Sequence, residues 1–137
     1  MKFYHLLSAV TALGLSVLAA KAQNTGPLTP EQQEKQMLEY VDKEVQRLSN
    51  MLELEYWQEF YVDSTLTHDL KAMSEELEGM QKAKVENRDL YVTVQDKWMQ
   101  QIDDSYQRFF TEEQWKKYMK SGGKRAKDAR DKRNKKK

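Results

Sequence analysis

The sequence predicts an all-α fold, either an elongated helical hairpin or a small bundle of three to four amphipathic helices. Three observations carry that expectation. Proline occurs only at Pro27 and Pro30, and glycine beyond residue 22 only at Gly26, Gly79, Gly122 and Gly123, so residues 31–121 hold almost no helix breaker. Apolar residues recur at steps of three and four, the spacing of one helix face. Runs of β-favouring residues long enough for a strand are absent.

The N-terminus precedes this domain with a different pattern. Lys2 is followed by an apolar run from Leu6 to Ala20 and then by Ala20-Lys21-Ala22, an A-x-A cleavage pattern. Residues 1–22 are therefore expected to be a signal peptide, and the mature chain to be an exported, soluble, periplasmic protein. An uncleaved anchor is the alternative, but the run is short against the roughly 20 residues that a bilayer span needs. The chain has no cysteine, which excludes disulfide scaffolding, thiol chemistry and a lipid-modified Cys anchor.

A helical domain over 23–121 follows. Its first helix is expected to start at Leu28-Thr29-Pro30-Glu31-Gln32, with Thr29 as N-cap, Pro30 where its missing N–H costs nothing, and Gln32 closing a capping box. Met37 or Leu38, Val41, Val45, Leu48 and Leu52 then mark one face. A second helix is expected from near Leu54 to about Lys84, carrying Trp57, Tyr61, Leu66, Leu70, Met73, Leu77 and Met80. No Gly or Pro separates the two, so the join is either a tight turn near Asn50 or no turn at all. Asp63-Ser64-Thr65 is a candidate bend. Asn87 or Asp89 is expected to cap a third helix, whose face is Tyr91, Val94 or Gln95, Trp98, Ile102, Tyr106 and Phe109. Thr111-Glu112-Glu113-Gln114 opens a short fourth helix that stops at Gly122-Gly123.

Charge divides the chain. Residues 23–115 hold 9 Lys/Arg against 20 Asp/Glu, whereas residues 116–137 hold 12 Lys/Arg against 2 Asp. The segment 122–137, with Lys124, Arg125, Lys127, Arg130, Lys132 and Arg133, has nothing apolar to bury and is expected to be a disordered basic tail. Three roles are open to it: contact with an anionic envelope surface, folding back on the acidic body, or keeping the chain soluble. Nucleic acid is disfavoured, because no aromatic residue interleaves the basic ones.

No catalytic constellation emerges. One histidine, His68, lies beyond the signal segment, and with no cysteine a structural zinc site lacks its usual ligands. Carboxylates are plentiful but spread, so no cofactor or metal site is expected, although an acidic metal-responsive protein stays open as an alternative. Ser64, Thr65 and Thr67 near His68 resemble a nucleophile-and-base pair only superficially, since serine chemistry also needs an orienting acid and an oxyanion hole. Six methionines and twelve aromatic residues beyond Ala22 are a high load for a small core. Some are expected at the surface, where adaptable faces suit apolar partners. Trp57, Phe60, Tyr61, Met73 and Met80 are the candidate contacts for unfolded or apolar protein segments.

The Thr-x-x-Gln sites carry a resemblance. Leu28-Thr29-Pro30-Glu31-Gln32 is a complete L-T-x-x-Q; Phe110-Thr111-Glu112-Glu113-Gln114 differs in its first residue; Leu54-Glu55-Tyr56-Trp57-Gln58 has Glu in place of Thr. Over about residues 28–120 the chain resembles the periplasmic LTxxQ proteins, the Spy/CpxP-like envelope-stress factors, in a Bacteroidetes-type version. The resemblance implies a helical hairpin, often an antiparallel cradle-shaped homodimer, and ATP-independent chaperone or stress-sensing activity. It also implies that the motifs at Leu54–Gln58 and Phe110–Gln114 cap helices and pack against one another at one end of the bundle.

Overall fold

The computed structural model describes residues 26–136, and the expected signal peptide lies outside them. Five α-helices form among the described residues: α1 (Pro30–Leu52), α2 (Tyr56–Lys82), α3 (Arg88–Phe109), α4 (Glu112–Tyr118) and α5 (Lys124–Asn134). A π-helical turn, Met119–Gly123, joins the last two. The described residues are all-α, and none of their helices is long and apolar enough to cross a membrane.

Local codes fix the helix starts. Thr29 N–H donates to Gln32 Oε1 at 3.0 Å and Gln32 N–H to Thr29 Oγ1 at 3.2 Å, a reciprocal box at the head of α1. Asn87 Oδ1 accepts the Asp89 N–H at 3.0 Å and caps α3. Thr111 and Gln114 repeat the box at α4, at 2.9 and 3.2 Å.

The helix ends are less conventional. Between α1 and α2 the chain breaks at residues 53–55 without Gly or Pro, because Glu53 takes a left-handed φ of 52°. Leu54 N–H then reaches back to Ser49 C=O at 3.3 Å. Lys84, at φ 54°, does the same after α2, with Val85 N–H on Met80 C=O at 3.0 Å. Both are Schellman closures, in which glycine is the usual left-handed residue. Asp63-Ser64-Thr65, expected to bend the second helix, lies inside an unbroken α2.

Internal contacts divide the chain between Gln36 and Met37, within α1; the core belongs to the part from Met37 onward. There α2 and α3 form an antiparallel hairpin. Its register is read from Gln58 against Phe109, Asp69 against Gln101 and Glu76 against Lys97. Val41, Leu48 and Leu52 of α1 pack with Val62, Leu66, Ile102, Tyr106 and Phe110, and Trp115 and Tyr118 close over them. Burying side chains of this size stabilises by about 1.5–3 kcal/mol each, the main force holding slender helices together.

The basic segment corrects an expectation. Instead of a disordered tail, residues Lys124–Asn134 are helical, and Arg130 is only 4 % exposed. The reason is a partner that composition does not reveal. Arg130 Nη2 pairs with Asp103 Oδ2 on α3, and Arg133 forms a two-pronged bridge to Asp96 at 2.7 Å on each prong. Two glycines make the approach possible. Gly122 has φ 123°, closed to other residues without strain, and a Cβ on Gly123 would come within 2.9 Å of the Tyr118 ring.

Candidate functional site

The end of the hairpin where α2 and α4 begin gathers the sequence-predicted motifs. Glu55 stands at the N-cap of α2, and its N–H donates to Gln58 Oε1 at 2.9 Å, so the Thr-less motif still closes. Gln58 is also buried, which an N3 side chain at an isolated helix start is not. Its Nε2 donates to Gln114 Oε1 at 2.6 Å and to Phe109 C=O at 2.9 Å. Gln114 Nε2 returns a bond to Gln58 Oε1 at 3.1 Å and reaches Leu52 C=O at 3.3 Å. Each amide therefore caps its own helix start and takes up a carbonyl at another helix's C-terminal end. Leu54, Phe110 and Thr111 complete this assembly, Leu54 and Phe110 by packing on the core. Leu28, Thr29 and Gln32 cap α1 and belong to the other part of the chain.

Beside the paired glutamines lies an aromatic platform. Tyr56 is 86 % exposed, Phe60 63 %, Tyr61 51 % and Trp57 46 %. The inner stripe of α2 is Gln58, Val62, Leu66, Asp69 and Met73, so Trp57 and Tyr61, apolar in type and expected on the packed face, point away from the core. Tyr61 meets Trp57 and Phe60 edge-on at 6.0 and 5.9 Å, and lies 5.7 Å from Phe109. Phe109 in turn touches Phe110 and Tyr106, which contact Tyr118. An unbroken run of rings thus anchors Trp57, Phe60 and Tyr61 to the core. Such packing presents large apolar area with little side-chain freedom left to lose on contact.

The other candidate contacts separate from this platform. Met73 is 5 % exposed and belongs to the inner face of α2, so its expected surface role is corrected. Met80 is half-buried near the far end of α2, about 30 Å along the helix from Phe60 at 1.5 Å per residue. Tyr56 and Phe109 were not expected here. Their signals are the position of Tyr56 directly after a cap residue, and of Phe109 at the last turn of α3.

The face of α3 toward α5 holds the most buried charged group among the described residues. Asp103 accepts from Arg130 and from Tyr118 Oη at 2.6 Å. Burial and the neighbouring Asp103 carboxylate push the Tyr118 hydroxyl well above its ordinary pKa. Arg130 Nη2 also reaches Gln100 Oε1 at 3.3 Å, while its Nε is buried with no acceptor. Of the remaining predicted tail residues, Lys124 and Lys127 pair with Asp128 and Asp131, and Arg125 and Lys132 face outward.

His68 lies on the surface with Nδ1 2.8 Å from the buried Asp69, which also accepts from Gln101 Nε2 at 3.2 Å. Ser64, Thr65, Ser105 and Arg108 line an open depression beside it. Among the described residues no three His, Asp or Glu side chains gather as a metal site. Comparison with protein-family models, with curated proteins and with solved structures finds no match.

Proposed function

We propose that this chain is a non-enzymatic, exported binding protein of the LTxxQ type that holds apolar or unfolded polypeptide segments. The observation that carries the reading is the aromatic platform of Tyr56, Trp57, Phe60 and Tyr61, left open at the surface, with the last three rings tied through Phe109 to the core. An exposed aromatic cluster of this kind is a typical protein-contact surface. The glutamine pair beneath it supports the family reading, since helix-start motifs packed together at one bundle end are what that resemblance implies. Homodimerisation is part of the same proposal.

The test is suppression of aggregation of an unfolded client by the mature protein at equimolar ratio. The unaltered protein is expected to slow aggregation, and a Tyr56→Ser/Phe60→Ser variant to lose that effect while keeping its helical signal. Equal protection by both proteins would sink the platform as the site, and no protection by either would sink the function.

A second reading has its own observation. Arg130 and Arg133 are spent on α3, but Arg125, Lys132, Lys135 and Lys136 remain outward on or just beyond α5. A face so charged and so poor in apolar residues suits peripheral contact with an anionic envelope surface. Changing those four residues to Gln is expected to abolish salt-sensitive binding to anionic vesicles; unchanged binding would dismiss this reading.

A further inference from the structure

We infer that the aromatic platform selects apolar segments carrying positive charge, an inference that rests on the proposed binding function and names its substrate class. No Lys or Arg occurs from Leu48 to Leu70, while Glu53, Glu55, Glu59, Asp63 and Asp69 all do. Of these, Asp69 is buried on the inner face of α2, and the other four flank the exposed aromatics. Asp63 continues the stripe of Tyr56 and Phe60 at helical spacing, three residues on from Phe60. Glu55 precedes Tyr56, and Trp57 Nε1 donates to its Oε2. Glu59, half-buried beside Phe60, accepts from Ser49 Oγ. Glu53 is exposed in the turn. The nearest cation on the opposing helix is Arg108, on the flank beside Ser64 and Thr65.

Rings and carboxylates in this order recognise one kind of partner. A Lys or Arg side chain is attracted to the face of an exposed ring, and its charge is then met by the carboxylate rim. The same rim repels an acidic segment of equal hydrophobicity, so discrimination arises from repulsion as much as from attraction. The platform supplies contact area and the rim supplies the choice.

The experiment uses the full mature chain and two labelled synthetic peptides of equal length and apolar content. One carries Lys at its polar positions and the other Glu. Fluorescence anisotropy is expected to show the Lys peptide binding about tenfold or more tightly, with the preference shrinking as salt rises. The Glu53→Gln/Asp63→Asn variant, which keeps the rings and the Asp63 acceptor for Thr67, is expected to lose most of that preference and to retain the apolar component. Equal binding of both peptides overturns charge selection and leaves the apolar reading standing. Binding of neither overturns both. A platform occupied by a second copy of this chain also overturns it; sedimentation would then give a dimer that Phe60→Ser dissociates and that neither peptide displaces.

Discussion

Gln58 and Gln114 exchange side-chain hydrogen bonds at 2.6 and 3.1 Å across 56 residues of sequence. Removing either one strands more than its partner. Gln58→Ala leaves the Gln114 amide, the Glu55 N–H and the Phe109 carbonyl short of a partner each in a part-buried setting. A loss of about 2–3 kcal/mol is expected, given the cost of unsatisfied buried polar groups. The check is denaturant unfolding in a double-mutant cycle with Gln114→Ala. The double variant should lose clearly less than the two single losses added together.

The Asp103–Arg130 pair predicts an asymmetric response. Arg130→Ala leaves a carboxylate 2 % exposed with only Tyr118 as its nearest donor. The cost is expected to reach about 3 kcal/mol unless α5 undocks and admits water, in which case it is smaller. Hydrogen exchange distinguishes the outcomes, and loss of protection over Lys124–Asn134 is the expected one. Asp103→Asn should cost less, because an amide can still accept from the Tyr118 hydroxyl.

Three tyrosines make the alkaline side of the stability profile the sensitive one. Burial raises the hydroxyls of Tyr118, Tyr106 and Tyr40 above their ordinary value of 10.0. A group raised in the folded state contributes stability that is complete below its unfolded value and is lost as pH climbs above it. The melting temperature is therefore expected to hold up to about pH 10 and then to fall, measured by calorimetry across that range. Tyr118→Phe should be about 1 kcal/mol less stable near neutrality, having lost its bond to Asp103, yet show a shallower alkaline fall.

Lys84 and Gly79 each sit where the other type of residue would be better. Lys84 holds a left-handed φ of 54°, and Gly79 lies inside α2 with nothing within 4 Å of an added Cβ. Lys84→Gly and Gly79→Ala are each expected to stabilise by about 0.5–1 kcal/mol. A melting temperature unchanged in both would contradict the assigned backbone at the hairpin turn.

The caps were legible in sequence because each is a local code: Thr29 with Gln32, Asn87 ahead of Asp89, and Thr111 with Gln114 all close within three residues. The inner face of α2 was legible at Leu66 and Met73 but not at its polar members, which are satisfied from afar. Gln58 depends on Phe109 and Asp69 on Gln101, so residues polar by type lie inside while Trp57 and Phe60 stand outside. The basic tail misled for the same reason. Its composition lacks apolar residues to bury, and its docking rests on Asp103 and Asp96 of an earlier helix. The α1–α2 break was legible only as one of two alternatives, because Glu53 supplies a conformation for which glycine is the usual signal.

The glutamine clasp has a pseudo-twofold character. Gln58 opens α2 and reaches the last residue of α3, whereas Gln114 opens α4 and reaches the last residue of α1. Exchanging the two helix–turn–helix units leaves the bond pattern unchanged. The units differ by one residue in their linking turns, 53–55 against 110–111, and the left-handed Glu53 sits in the longer one. Seen this way, the chain carries two copies of one joint facing each other. The exposed rings follow only the first joint, so a nearly symmetric framework presents a one-sided surface.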